Sequence, residues 1–86
     1  MNTYNLVIST PDGSVLDQQA VALIVRGSEG ELAVMAGHIP FITAVKPGEC
    51  KILLSEEQEK TATIGGGILT VQNEKTTLLC SDFQWD

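Results

Sequence analysis

Basic residues are scarce in this chain of 86 residues: five Lys and Arg stand against eleven Asp and Glu, for a formal charge of −6 at pH 7. Such a field repels nucleic-acid phosphates and anionic lipid headgroups, so neither is an expected partner, and basic protein patches are the complementary ones. There is one histidine, too few for a metal site built on imidazole. The two cysteines, Cys50 and Cys80, are too few for a disulfide framework or a zinc cluster. Both sit in apolar surroundings, near Ile52 and after Leu78-Leu79, where a thiol serves as a small buried hydrophobe. The longest uninterrupted apolar run is Ala20 to Val25, whereas a spanning helix takes about 20 residues. No basic segment leads an apolar one at the N-terminus, so the expectation is a chain that neither inserts in a membrane nor is exported.

What is present is enough for one small folded domain over residues 1–86. Apolar residues make up 43% and charged residues 19%, too rich in Val, Ile and Leu for a disordered chain. Short β-prone runs punctuated by Gly, Pro and Asn recur along the whole length, and no helical period competes with them. Tyr4, Leu6 and Ile8 alternate; Pro11-Asp12-Gly13 turns the chain; Val15 and Leu16 begin the return. Val21 to Arg26 reads as a strand covered on both faces, ended by Gly27-Ser28-Glu29-Gly30. Leu32 to Met35 and Phe41 to Val45 follow, separated by Gly37-His38-Ile39-Pro40, and Lys46-Pro47-Gly48 is a turn. Cys50, Ile52 and Leu54 alternate inward before the acidic tip Ser55 to Glu59. Thr61 to Ile64, Ile68 to Val71 and Thr76 to Cys80 complete the set, with Asn73-Glu74 as the last turn. This predicts an all-β antiparallel sandwich or barrel of about nine strands. Its expected core includes Leu6, Ile8, Val21, Leu23, Val34, Ile42, Ile52, Ile68, Val71 and Leu78. Phe83 and Trp85, in a tail without a period, either lie back on the sandwich or belong to an interface.

Few residues could carry chemistry. His38 has no neighbouring Ser or Cys in a nucleophile motif, and a loop histidine after glycine more often fixes the loop or meets a partner. Gly65-Gly66-Gly67 lacks the Lys-Ser or Lys-Thr and the helix of a phosphate loop, so it marks a bulge, a bend or a close backbone approach. Glu29 and Glu31 flank Gly30. Paired carboxylates serve glycosidases or Ca²⁺ sites, but here they read as a solvated turn or a charge-docking pair.

Four ordered motifs, Gly27-Ser28-Glu29-Gly30-Glu31-Leu32, Gly37-His38-Ile39-Pro40, Thr43-Ala44-Val45-Lys46-Pro47-Gly48 and Gly66-Gly67-Ile68-Leu69 with Val71, resemble the N-terminal domain of ATP synthase epsilon subunits, called delta in mitochondria. The resemblance runs from about Tyr4 to Cys80 and implies a flattened antiparallel β-sandwich of ten strands. It further implies a rotor part that docks on the gamma subunit and on the polar loops of the c-ring, coupling ion-driven rotation to ATP synthesis. The alpha and beta subunits, met only indirectly, would hold the nucleotides and do the catalysis. No cofactor, metal, nucleotide site or catalytic residue is implied for this chain. Carried over by motif, Ser28, Glu29, Gly30, Glu31 and His38 fall in ring-facing loops, and Ser9 and Thr43 lie near the gamma-facing region. The location implied is peripheral, on the cytoplasmic side of a bacterial membrane or the stromal side of a thylakoid. Most bacterial members continue into an inhibitory two-helix hairpin, and this sequence ends where that would begin; if these 86 residues are the whole product, the expectation is coupling without that inhibition, and a shortened chain would read the same. The rival readings are a free-standing sandwich adaptor for a basic protein and a small hydrolase using His38 with Glu29 or Glu31.

Overall fold

A computed structural model describes residues 2–86 as ten strands and no helix. They are β1 (Tyr4–Thr10), β2 (Gly13–Ala20), β3 (Ala22–Gly27), β4 (Gly30–Met35), β5 (Phe41–Val45), β6 (Gly48–Leu53), β7 (Glu59–Ile64), β8 (Gly67–Gln72), β9 (Lys75–Cys80) and β10 (Phe83–Trp85). The pairing path runs β10-β7-β6-β3-β5-β8-β9-β1-β2, with β4 on β3. Its weakest link is β3 to β5, a single registered pair, Gly27 with Val45. There the sheet folds over into two layers, β4-β3-β6-β7-β10 and β5-β8-β9-β1-β2. Lys46-Pro47 is therefore a corner that carries the chain from one layer to the other, pinned by the Lys46 amide donating to the Arg26 carbonyl at 2.8 Å.

All pairings are antiparallel except β1 with β9, which is parallel. The expected sandwich is present, with this one departure from uniform antiparallel order. Two residues of β2 stand where one would suffice: Ile8 faces Leu16 and Ser9 faces Ser14, so Val15 bulges and Leu16 turns inward. The tail, for which no element was expected, forms β10 against β7, which brings the count to ten.

The two inner faces interlock as alternation requires. Leu6, Ile8, Leu23, Val34, Cys50, Ile52, Leu69 and Leu78 are wholly buried, with Val71 almost so. Three expected core positions are not in it. Ile42 is 72% exposed and Ile68 51% exposed, because Phe41 and Val45 on β5 and Leu69 and Val71 on β8 take the inward phase. Val21 lies between β2 and β3 and is half-buried. Nor is β3 covered on both faces, since Ile24 is half-buried and Arg26 exposed.

The glycine triplet is a close backbone approach. A Cβ on Gly67 would collide with the Leu79 carbonyl oxygen of the neighbouring strand, and one on Gly65 with Ser81 and Asp82. Gly66 adopts φ +99°, against the Val45 carbonyl and Pro47 at the corner.

Candidate docking surfaces

The residues singled out in the sequence are dispersed by the fold into distinct places. Ser28 and Glu29 are the exposed two-residue turn of the β3–β4 hairpin, closed by the pair Gly27 and Gly30. Gly30 has φ +128°, a backbone that other residues rarely adopt, which suits the tight reversal. Glu31 is exposed on β4 and directly opposite Arg26 on β3. The Arg26 side chain runs along Gly48, on the other side of β3 from Glu31, and Glu29 is exposed at the tip.

His38 lies beyond the far end of β4. Its amide donates to the Met35 carbonyl at 3.2 Å, its Nδ1 lies 3.0 Å from the Ile39 carbonyl, and its ring packs against Phe41 with centroids 4.9 Å apart. It borders a cavity of about 680 Å³ between the N-terminal residues, the β4–β5 loop and the β8–β9 turn. The six residues of β4 separate it from Glu29 by roughly 20 Å at about 3.3 Å per residue, so the two form no common acid–base site. Among the described residues, no group of three or more His, Cys, Asp and Glu side chains is placed to hold a metal ion.

Ser9 and Thr43 belong to different faces. Thr43 shares its row with Leu69, Leu78 and Ile8, all wholly buried, and is itself half-buried on the inward side of an edge strand. Ser9 ends the outward row Ala44, Ile68, Leu79, Ser9, which crosses β5, β8, β9 and β1. The adjoining outward row is Ile42, Thr70, Thr77, Val7. Ile42, Ile68 and Leu79 are each more than half exposed, so this layer presents a contiguous apolar face to the outside. Such a face marks an interaction surface. Sequence reasoning missed it, although the doublets Phe41-Ile42, Ile68-Leu69 and Leu78-Leu79 signal strands apolar on both phases.

Cys50 and Cys80 are both buried free thiols. Burial pushes the Cys50 thiol up to about 12, with a smaller contribution from Cys80, and raises Cys80 as well. Both are structural hydrophobes, and Cys80 Sγ also donates to the Ser9 carbonyl at 3.7 Å.

A ten-stranded, two-layer arrangement with an apolar outer face on one layer and an acidic hairpin tip at one end is, as a class, a β-sandwich domain with two candidate docking surfaces. Residues 3–86 match the family described as ATP synthase, Delta/Epsilon chain, beta-sandwich domain, and the chain belongs to that family. It is 35% identical over 83 residues to the "ATP synthase epsilon chain, sodium ion specific" of Acetobacterium woodii, covering 96% of this chain and 62% of that one. Against the epsilon chain of Wolbachia pipientis wMel it is 33% identical over 84 residues, covering 98% of this chain and 74% of the relative. The chain thus spans less than two thirds of the first relative's length. Among solved structures, a chain of the Euglena gracilis mitochondrial ATP synthase superposes with TM-score 0.91 at 22% identity, covering 96% of this chain and 53% of that one. One from the central stalk and c-ring of the Tetrahymena thermophila enzyme gives 0.80 at 15% identity, covering 92% and 63%. At such identities these matches speak for the fold, and they agree with the ten strands and two layers found here.

Proposed function

We propose that this chain is a non-catalytic rotor part of an ATP synthase, seated on the gamma subunit and on the c-ring and passing torque between them. Nucleotides and catalysis belong to the alpha and beta subunits in this reading, and the chain works at the membrane periphery without entering the bilayer. The observation that carries it is the outward apolar face of Ile42, Ile68 and Leu79 on a domain whose core is already closed, within a family of epsilon chains. An apolar face is left uncovered on a stable sandwich when a partner covers it.

The apolar layer is assigned to gamma, with Ser9 at its border and Thr43 at the adjacent edge strand. The ring contact is assigned to the Ser28-Glu29-Gly30-Glu31 hairpin, with His38 entering it only if the rim runs along the length of β4. A cross-strand network and a packed core resist shear, which suits a coupling joint. Each exposed carboxylate contributes only about 0.2–1 kcal/mol to such a contact, so acids at the tip guide the docking more than they hold it.

Co-sedimentation with gamma–c-ring complexes tests the assignment. Glu29→Lys should fold normally and be retained less than the parent at low ionic strength, with the difference shrinking at high salt. Equal retention at both ionic strengths would return Glu29 to a solvated turn, and failure of the parent chain to bind at all would favour an unrelated basic partner.

A further inference from the structure

The exposed face of the other layer carries three cations to which the rotor reading gives no role, beside Gly30 and Glu31 of the hairpin assigned to the ring. A groove of about 370 Å³ crosses β3, β4 and β6 and is lined by Arg26, Lys46 and Lys51 together with Glu31 and Glu49. It gathers three of the chain's five cations, whereas nine of the eleven carboxylates lie elsewhere. On a chain of charge −6, three cations here face two carboxylates.

The backbone places these cations. Lys46 sits at the interlayer corner, its amide held by the Arg26 carbonyl, and Lys51 stands opposite Ile24, which neighbours Arg26 on the same face of β3. The Arg26 side chain is laid along Gly48: a Cβ there would stand 3.0 Å from Arg26 Cδ and 3.2 Å from Nε. The missing side chain at Gly48 is what leaves the guanidinium its track, and Gly48 also holds φ +146°.

The geometry points to this groove as a docking surface for a carboxylate-bearing segment of a partner protein. A guanidinium presents a planar fork that matches a carboxylate bidentately, and the two lysines extend the attraction along the groove. Glu31 and Glu49 border the cations and give the groove its selectivity. They disfavour a compact, multiply charged anion such as a phosphate chain, while a peptide spaces its carboxylates one by one. The surface lies on the opposite layer from the apolar face, so both can be occupied together.

The test is an NMR titration of the full ¹⁵N-labelled chain with a hexa-aspartate peptide, a hexa-lysine peptide and tripolyphosphate. Hexa-aspartate should shift the amides of Arg26, Gly27, Lys46 and Lys51 at low salt, and the shifts should vanish near 0.3 M salt, where screening length falls to roughly 5–6 Å. Lys46→Gln with Lys51→Gln should weaken the response by about threefold to tenfold, the size of two exposed ion pairs. Arg26→Lys, which keeps the charge and loses the fork, should weaken it too, and the spectra themselves report whether each variant is folded. The proposal is overturned by an absence of shifts in the groove with hexa-aspartate, or by hexa-lysine moving the same amides, which would make Glu31 and Glu49 dominant. Tripolyphosphate acting as strongly as the peptide would overturn it as well, by making the groove a small-anion site.

Discussion

The hydroxyl of Tyr4 on β1 donates to the Val34 carbonyl on β4 at 2.8 Å, a buried hydrogen bond between the two layers of the sandwich. β4 pairs only with β3, so this bond ties an edge strand of one layer to an inner strand of the other. Removing the hydroxyl deletes this interlayer bond, and Tyr4→Phe should lower stability by about 0.5–1.5 kcal/mol. Urea unfolding of both proteins measures it; equal midpoints with equal slopes would show that the bond is dispensable.

The glycine triplet should tolerate no side chain at its last position. In Gly67→Ala the new methyl meets the Leu79 carbonyl of the paired strand, a backbone atom that cannot move without breaking β8 from β9. A loss of about 1–3 kcal/mol is expected from overpacking at such a site. A variant as stable as the parent would mean that the strands can separate there at no cost.

Two residues that look alike in the sequence should behave oppositely. Val71 is 3% exposed and Ile42 72%. Val71→Ala should cost about 1–3 kcal/mol for the cavity, while Ile42→Ala should lie within about 0.5 kcal/mol of the parent. Thermal melts of both variants compare them, and similar losses would contradict the placement of β5.

The apolar face predicts a separation of stability from assembly. Ile68→Glu puts a carboxylate on an exposed position and should leave the fold intact, yet bury an unpaired charge if gamma covers that face. Circular dichroism should match the parent while binding to gamma falls at least tenfold. Unchanged binding would remove this face from the gamma contact.

Alkaline pH should weaken the fold through Cys50. Its thiol is raised from 9.0 to about 12 by burial, so between these values the unfolded chain has lost the proton and the native chain still holds it. The unfolded state then binds fewer protons, and stability falls as pH rises through that window, by about 1.4 kcal/mol per pH unit for one such group. Below pH 9 the contribution of this thiol is constant. Cys50→Ala should start less stable but decline less steeply above pH 9, as followed by denaturant midpoints across the range; parallel declines would show that Cys50 is not the titrating group.

Much of this architecture was legible in the residues themselves. Alternation in Tyr4-Leu6-Ile8 and Cys50-Ile52, turn chemistry at Pro11-Asp12-Gly13 and Asn73-Glu74, and the bulge, bend or close approach marked by Gly65-Gly66-Gly67 all depend on local sterics and a period of two, which the chain carries everywhere. The four motifs from Gly27 to Val71 were enough to point to the family. What alternation does not carry is the sign of the face where both phases are apolar. Phe41-Ile42 and Ile68-Leu69 could each turn either residue inward, and the choice falls to the neighbours: β5 and β8 pair so that Phe41 meets Val71 while Ile42 meets Thr70. The parallel pairing of β1 with β9, the docking of Phe83–Trp85 as β10, and the gathering of Arg26, Lys46 and Lys51 in one groove likewise join residues far apart in the chain. Local propensity has no term for such contacts; they exist only once the two layers have closed on a common core.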